Sequence, residues 1–388
     1  AGHTISRIKT HEKSDLGNIL IAGATGFLGV HLLADYLDSD SGTAYCLVRG
    51  KTADDCKKRL DSLLRVYFGD KYNDSARIKT VRADLQKERF GLSEDEYDDL
   101  LANVHTVFNS AASVKHFGSY QFFYEVNVAT VVRLIDFCRA ADARLIHIST
   151  SSVSGNGFRN DSEGVKGTLY EHDLYIGQAL DNVYAHSKFE AEKAVLEAMC
   201  DGLQANIMRM GNLSNRYSDG VFQQNYENNA NVKRLKAVLE LGVIPTYLVG
   251  NPYELTPVDL AAEAVMNIAR HFSNEQTLFY INSSKTLTVG SMLSLFNLLD
   301  YYNVRTVSEN DFINTLLATA TRSGKEYILG TFIDNLDENY HLNYEGNIQI
   351  NSDFSVEYLK RLGFEWKEID AEYIRKYAEY FRRIGYFH

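Results

Sequence analysis

A phenol and an ammonium stand four residues apart at Tyr184 and Lys188, in the run YAHSK. On a helix that spacing places both on one face. A tyrosine phenol ionises near pH 10 (about) and is a poor acid–base group at neutrality. A neighbouring ammonium is expected to stabilise the phenolate and lower that pKa. Hydroxyls lie upstream in the run STSSVSG at 149–155, and one of them beside the phenol would help hold a substrate oxygen. The same Tyr/Lys spacing also arises on ordinary solvated helix faces, so its meaning depends on what precedes it.

What precedes it is GATGFLG at 23–29, directly after the apolar run NILIA at 18–22. Glycines at Gly23, Gly26 and Gly29 suit a dinucleotide turn for three reasons: a tight bend, close backbone approach to phosphate, and close helix–strand packing. The turn amides and the start of a helix at Phe27 would face a pyrophosphate. A merely tight turn is the plain alternative, and the strand–turn–helix context disfavours it. At the end of the second strand an acidic residue would favour NAD and an arginine a 2′-phosphate. Arg49 stands there, which argues for NADPH. Arg59 is either a second cation for that phosphate or part of a solvated helix face. Asp84, after the third strand, is placed to accept from the adenine amino group, and the small residues through Ala111 and Ala112 would let backbone approach the cofactor. Together these features point to hydride chemistry on a nicotinamide dinucleotide.

The elements that must position these groups read as alternating strands and helices. Strands are expected at 18–22, 43–48, 78–83, 106–109, 144–149, 206–210 and 278–282, and helices at 27–37, 54–67, 126–138 and 187–199. That alternation means an α/β fold with a parallel sheet covered on both faces. Beyond residue 215 the pattern turns helical, at 257–272, 289–302, 311–322 and 371–384. The expected organisation is a dinucleotide-binding domain over 17–215, with later returns near 254–285, and a smaller, mainly helical substrate lobe over 216–388. The polar stretches 155–180 and 217–231 lack a clear period; long loops of this kind are usually functional, and both are expected to border the substrate entrance.

Bulk properties bound the rest. The 388 residues are 45% hydrophobic and 23% charged, with a net charge of −11. That balance suits a globular protein with a sizeable core and disfavours nucleic acid as the main partner, which needs a basic footprint. The four cysteines, Cys46, Cys56, Cys138 and Cys200, form no ligand pattern; they read as reduced thiols of a cytoplasmic protein, with no metal site. No apolar run is long enough to span a bilayer, and the polar start does not read as a signal peptide. The chain begins only a few residues before its first strand, as a domain taken from something longer would.

In order along the chain, GATGFLG (23–29), LVR (47–49), RADL (82–85), NSAA (109–112), VNV (126–128), IST (148–150), YAHSK (184–188) and RMGNL (209–213) resemble the extended short-chain dehydrogenase/reductases. More narrowly, they resemble the thioester reductase domains that end nonribosomal peptide synthetases, carboxylic acid reductases and aminoadipate reductases. The resemblance covers most of the chain to about residue 259; Met210 departs from it, where proline is common. It implies a Rossmann-type doubly wound sheet and makes Thr150 the catalytic hydroxyl beside Tyr184 and Lys188. It implies cofactor contacts from Gly23, Thr25, Gly26, Phe27, Leu28, Gly29, Arg49, Arg59, Asp84, Leu85, Ala111, Ala112, Asn127, Tyr184, Lys188, Gly211, Asn212 and Leu213. The implied reaction is NADPH-dependent release of an acyl or peptidyl thioester as an aldehyde, or further to the alcohol. The partner implied is a carrier protein with a phosphopantetheine arm, fused upstream of a monomeric reductase domain. The clusters Lys233/Arg234/Lys236 and Arg375/Lys376/Arg382/Arg383 read as solvated helix faces or as docking sites for an acidic carrier. The competing readings are a fatty acyl-CoA reductase, a nucleotide-sugar epimerase or dehydratase of the same fold, and a non-catalytic dinucleotide sensor.

Overall fold

Short, apolar, fully buried runs make most of the strands, and their burial on both faces is what a parallel sheet demands. In the computed structural model, which describes residues 8–113, 118–155, 157–159, 166–322, 325–332, 342 and 348–388, seven of them form one sheet. They are β1 (Ile19–Ala22), β2 (Ala44–Val48), β3 (Ile78–Arg82), β4 (Thr106–Asn109), β5 (Arg144–Thr150), β6 (Ala205–Met210) and β7 (Leu278–Ile281). Their order is β3-β2-β1-β4-β5-β6-β7, with every pairing parallel. The chain winds outward to β3, then crosses back to β4 beside β1. That reversal leaves a crevice at the carboxyl ends of β1 and β4, where ligands of open α/β sheets bind.

The connecting helices are α1 (Phe27–Ser39), α2 (Ala53–Phe68), α3 (Glu94–Asn103), α4 (Thr130–Ala141) and α5 (Val183–Cys200). Leu134 and Phe137 of α4 and Ala191 and Val195 of α5 share one buried cluster with Val107, Leu145 and Ile207 of the sheet. The helix Val258–Arg270 packs against α1. Two helix starts are fixed by reciprocal capping, at Thr52 with Asp55 and at Ser93 with Glu96. The second opens α3, which the apolar period alone does not reveal; its Ser-x-x-Glu box was the available signal. The expected helix at 126–138 starts instead as a π-helical stretch, Tyr124–Ala129, that runs into α4.

The chain divides into two compact units, 1–211 with 258–282 and 346–365, and 212–257 with 283–345 and 366–388. The sequence reading gave 346–365 to the helical lobe; it belongs to the sheet unit. The reason is local: β7 is an edge strand, and the helix Asp353–Arg361 covers it. Tyr358 packs on Phe279 at 5.1 Å between ring centres, and Ser355 Oγ accepts the Tyr280 N–H at 2.8 Å. The segment 155–180 is also less irregular than expected, since Gly167–Leu169 pairs in parallel with Ile348–Ile350; its residues 156 and 160–165 lie outside the described ones.

The second unit holds the helices Ala230–Leu241, Val289–Asn297, Glu309–Ala320, Glu326–Phe332 and Ala371–Arg383. Its basic clusters are partly engaged internally: Lys236 pairs with Glu240, Arg375 with Glu372 and Glu379, and Arg382 lies 3.8 Å over the Tyr301 ring. Among the described residues no helix is long and apolar enough to cross a membrane.

Candidate active site

The glycine turn is a place where side chains cannot fit. Gly23 has φ of +90°, and a Cβ there would lie 2.7 Å from the Ala111 nitrogen. A Cβ on Gly29 would lie 2.1 Å from the Gly23 carbonyl oxygen. The bend closes when the Gly26 N–H donates to the Gly23 carbonyl at 2.8 Å. Gly26 then opens α1 with no side-chain cap and no acidic residue in the first turn, at Phe27 and Leu28. That N-terminus, with its helix dipole and no acidic side chain, suits an anion. On this cradle the residues present fit a dinucleotide pyrophosphate, with Thr25 partly exposed at its centre.

The neighbouring strand ends add charge. Arg49 follows β2 and is exposed, and Arg59 Nη1 on α2 donates to the Arg49 carbonyl at 3.3 Å. The Arg59 guanidinium thus lies at the end of β2, and neither arginine is paired with a carboxylate among the described residues. Asp84 follows β3; its Oδ1 accepts the Gln86 N–H at 3.2 Å, and Leu85 packs against the core. Beyond β4, Asn109 is buried and ties the chain down, accepting the Ala111 N–H at 3.3 Å and meeting His147 Nδ1 at 3.1 Å. Ala112 is exposed.

Asn127 is 1% exposed, on the π-helical stretch. Its Oδ1 accepts the Ser113 N–H at 2.8 Å, and its Nδ2 donates to the Ser113 carbonyl and to Ser187 Oγ, at 3.3 and 2.9 Å. The side-chain amide is thereby engaged on protein groups. Asn127 clamps the loop after β4 to α5, between the positions of Tyr184 and Lys188, and does not present its amide to an open face.

The three groups read as catalytic come together. Thr150 ends β5, and its Oγ1 accepts the Ser152 N–H at 3.2 Å, which fixes the turn that follows. Asn182 caps α5 by accepting the Tyr184 and Ala185 amides at 2.9 and 3.1 Å. That cap starts the helix before Tyr184, so Tyr184 and Lys188 share it. The Tyr184 hydroxyl is hydrogen-bonded to Thr150. Lys188 is 2% exposed, and its Nζ donates to the Ile148 carbonyl at 2.6 Å.

The electrostatics correct one expectation. Burial pushes the Tyr184 phenol above its ordinary pKa, and the Thr150 hydrogen bond only partly opposes it. The expected lowering by Lys188 is not what the site shows. Burial also lowers the Lys188 ammonium to about 8, against an opposing pull from Glu192. Its charge is directed at the Ile148 carbonyl, and both groups lose water. His147, on β5, is fully buried. Burial and then Lys188 hold it well below the usual histidine pKa, hence neutral.

Gly211 stays with the sheet unit, its N–H donating to the Ile281 carbonyl at 3.0 Å. Asn212 and Leu213 belong to the second unit. There the Asn212 N–H donates to the Glu254 carboxylate at 3.1 Å, and Leu213–Ser214 pairs in parallel with Thr256–Pro257.

Residues 21–265 match the NAD-binding family described as "Male sterility protein". Glycine betaine reductase of Emericella nidulans is 30% identical over 302 residues, 74% of this chain and 22% of that protein. The L-2-aminoadipate reductase large subunit of Penicillium chrysogenum is 31% identical over 264 residues, 65% of this chain and 18% of that protein. The chain thus spans about a fifth of the length of these relatives. A solved thiolation-reductase di-domain from an archaeal non-ribosomal peptide synthetase superposes with a TM-score of 0.85 at 29% identity, covering 100% of this chain and 79% of that one.

Proposed function

The chain belongs to the NAD-binding family described as "Male sterility protein" and takes a nicotinamide dinucleotide, and on that premise we propose that it is an NADPH-dependent thioester reductase. It would release an acyl or peptidyl group from the phosphopantetheine arm of a carrier protein as an aldehyde. The observation that carries this reading is the meeting of Thr150, Tyr184 and Lys188 at the carboxyl edge of the sheet that also bears the Gly23–Gly29 cradle. The likeness to the archaeal thiolation-reductase protein and to L-2-aminoadipate reductase supports the thioester class.

The cradle of Gly23, Gly26 and Gly29 would hold the pyrophosphate, and Arg49 with Arg59 a 2′-phosphate. When bound, the reduced nicotinamide supplies hydride to the carbonyl carbon. Thr150 and Tyr184 donate hydrogen bonds to the carbonyl oxygen as negative charge builds there. Tyr184 then gives its proton to that oxygen. A phenol held above its ordinary pKa is protonated throughout the neutral range, which suits a donor. Lys188 is charged below about pH 8 and orients the site from beneath. Breaking the carbon–sulfur bond of the resulting hemithioacetal releases the thiolate and leaves the aldehyde as the hydroxyl proton departs. The exposed Tyr175 ring, 6.0 Å from the Phe189 ring on α5, supports the reading of the segment before α5 as a border of the acyl entrance.

The test follows NADPH oxidation and product mass with a free acid, a small thioester and a carrier-bound thioester. Reduction of thioesters with preference for the carrier-bound form is expected, because contacts remote from the carbonyl add orientation. Free-acid reduction without ATP, a preference for acyl-CoA, or turnover of nucleotide sugars but no thioester would overturn the assignment.

A further inference from the structure

Glu192 and Arg209 are both wholly buried, and they pair through three contacts of 2.8 to 3.2 Å. Such a pair is weak evidence for stability, since well-packed apolar residues often serve as well. Its location is the informative part. Glu192 lies one helical turn past Lys188 on α5, on the same buried face. Arg209 lies on β6, opposite Ser149 of the catalytic strand. Its remaining donors are also engaged: Nη1 donates to Tyr280 Oη at 2.8 Å, and Nη2 to the Asp173 carbonyl at 3.0 Å.

The connections continue on the far side. The Tyr280 N–H donates to Ser355 Oγ, and both the N–H and the hydroxyl of Ser355 donate to Glu171 Oε1, at 2.9 and 2.8 Å. Two points of the segment after the catalytic strand, Glu171 and Asp173, are thus tied to α5 through one buried polar chain. A second tie comes from Gln178, whose Nε2 donates to the Val153 and Leu174 carbonyls at 3.1 and 2.9 Å.

We propose that Glu192 and Arg209 are positioning residues: the pair fixes the Lys188 turn of α5 against the segment 171–178, and the Glu192 carboxylate keeps the buried Lys188 ammonium charged. Glu192 acts on Lys188 from one turn along α5, with Tyr184 one turn before it; from β5, His147 acts on it and the Ile148 carbonyl accepts its Nζ–H, and Arg209 is paired with Glu192. His147 is neutral and Tyr184 protonated, so Glu192 supplies the negative charge in this set. Without it, burial and the stranded Arg209 cation act together to drive the proton from Lys188. The inference rests on the reading of Lys188 as a group of the cofactor site.

The test measures NADPH affinity by fluorescence from pH 6 to 9.5, which needs no thioester turnover. The wild-type protein, Glu192→Gln, the double variant Glu192→Gln/Arg209→Met and Lys188→Met are compared. The double variant removes the unpaired cation, so it keeps a folded form available. Affinity of the wild type is expected to fall as pH rises through about 8. That limb should vanish in Lys188→Met, move down by about one pH unit in Glu192→Gln, and move down by less in the double variant, which lacks the stranded cation. A purely structural pair would lower the melting temperature and leave the limb in place. An unmoved limb in the folded double variant, or a wild type with no limb, overturns the proposal. Thioester turnover by the wild type, recorded alongside, tests the proposed function separately.

Discussion

Lys188 Nζ donates to the Ile148 carbonyl oxygen at 2.6 Å. This bond joins α5 to β5 two residues before Thr150. Burial, the larger influence, keeps the Tyr184 phenol above its ordinary pKa, and its hydrogen bond to Thr150 only partly opposes that.

Tyr184→Phe is expected to keep NADPH binding and to lower single-turnover reduction about 10²–10⁴-fold, the usual contribution of a positioned acid. The ring packing survives and one hydroxyl is lost. Because the folded phenol titrates above its ordinary value, wild-type activity should show no loss assignable to tyrosine ionisation below about pH 10. Near-normal single-turnover rates in the variant would assign the proton to another group.

Gly29→Ala tests the cradle. The added methyl would meet the Gly23 carbonyl at 2.1 Å, so the turn must open or α1 must shift. Expected is a loss of NADPH affinity of at least about tenfold, roughly 1.4 kcal/mol or more. Isothermal titration on the folded variant reads it directly, and unchanged affinity would show that the turn does not hold the cofactor.

Arg49→Ala should discriminate between coenzymes. A charge-assisted contact to a 2′-phosphate is lost with NADPH and has no counterpart with NADH. The dissociation constant for NADPH is expected to rise about 10–100-fold and that for NADH to change little. Parallel weakening of both would mean that Arg49 reads no phosphate.

Asn127→Ala removes three hydrogen bonds and leaves a partly buried Ser113 N–H without its acceptor. A stability loss of about 1–3 kcal/mol is expected from that unsatisfied donor, seen in chemical denaturation. Turnover should fall more than NADPH affinity, since the clamp fixes α5 and does not touch the pyrophosphate cradle. A variant with wild-type stability and selectively lost cofactor binding would return Asn127 to the cofactor's contacts.

The local parts of this protein are written in its sequence. Glycines at a strand end specify a turn because glycine tolerates the positive φ at Gly23 and the 2.1 Å approach at Gly29. Four-residue spacing specifies one helix face, and continuous apolar runs specify doubly covered strands, because these depend on neighbours in the chain. Interactions between distant residues are not so written. The segment 346–365 joined the sheet unit because the β7 edge needed cover, a demand invisible from its own composition. Asn127 turned inward because Ser113 and Ser187, brought beside it by folding, offered complementary groups. The Tyr184 phenol rose in pKa and did not fall, since its burial is a property of the assembled site. Sequence spacing put the Tyr184 phenol and the Lys188 ammonium on one helix face; burial, which only the tertiary structure supplies, shifted both from their ordinary pKa values.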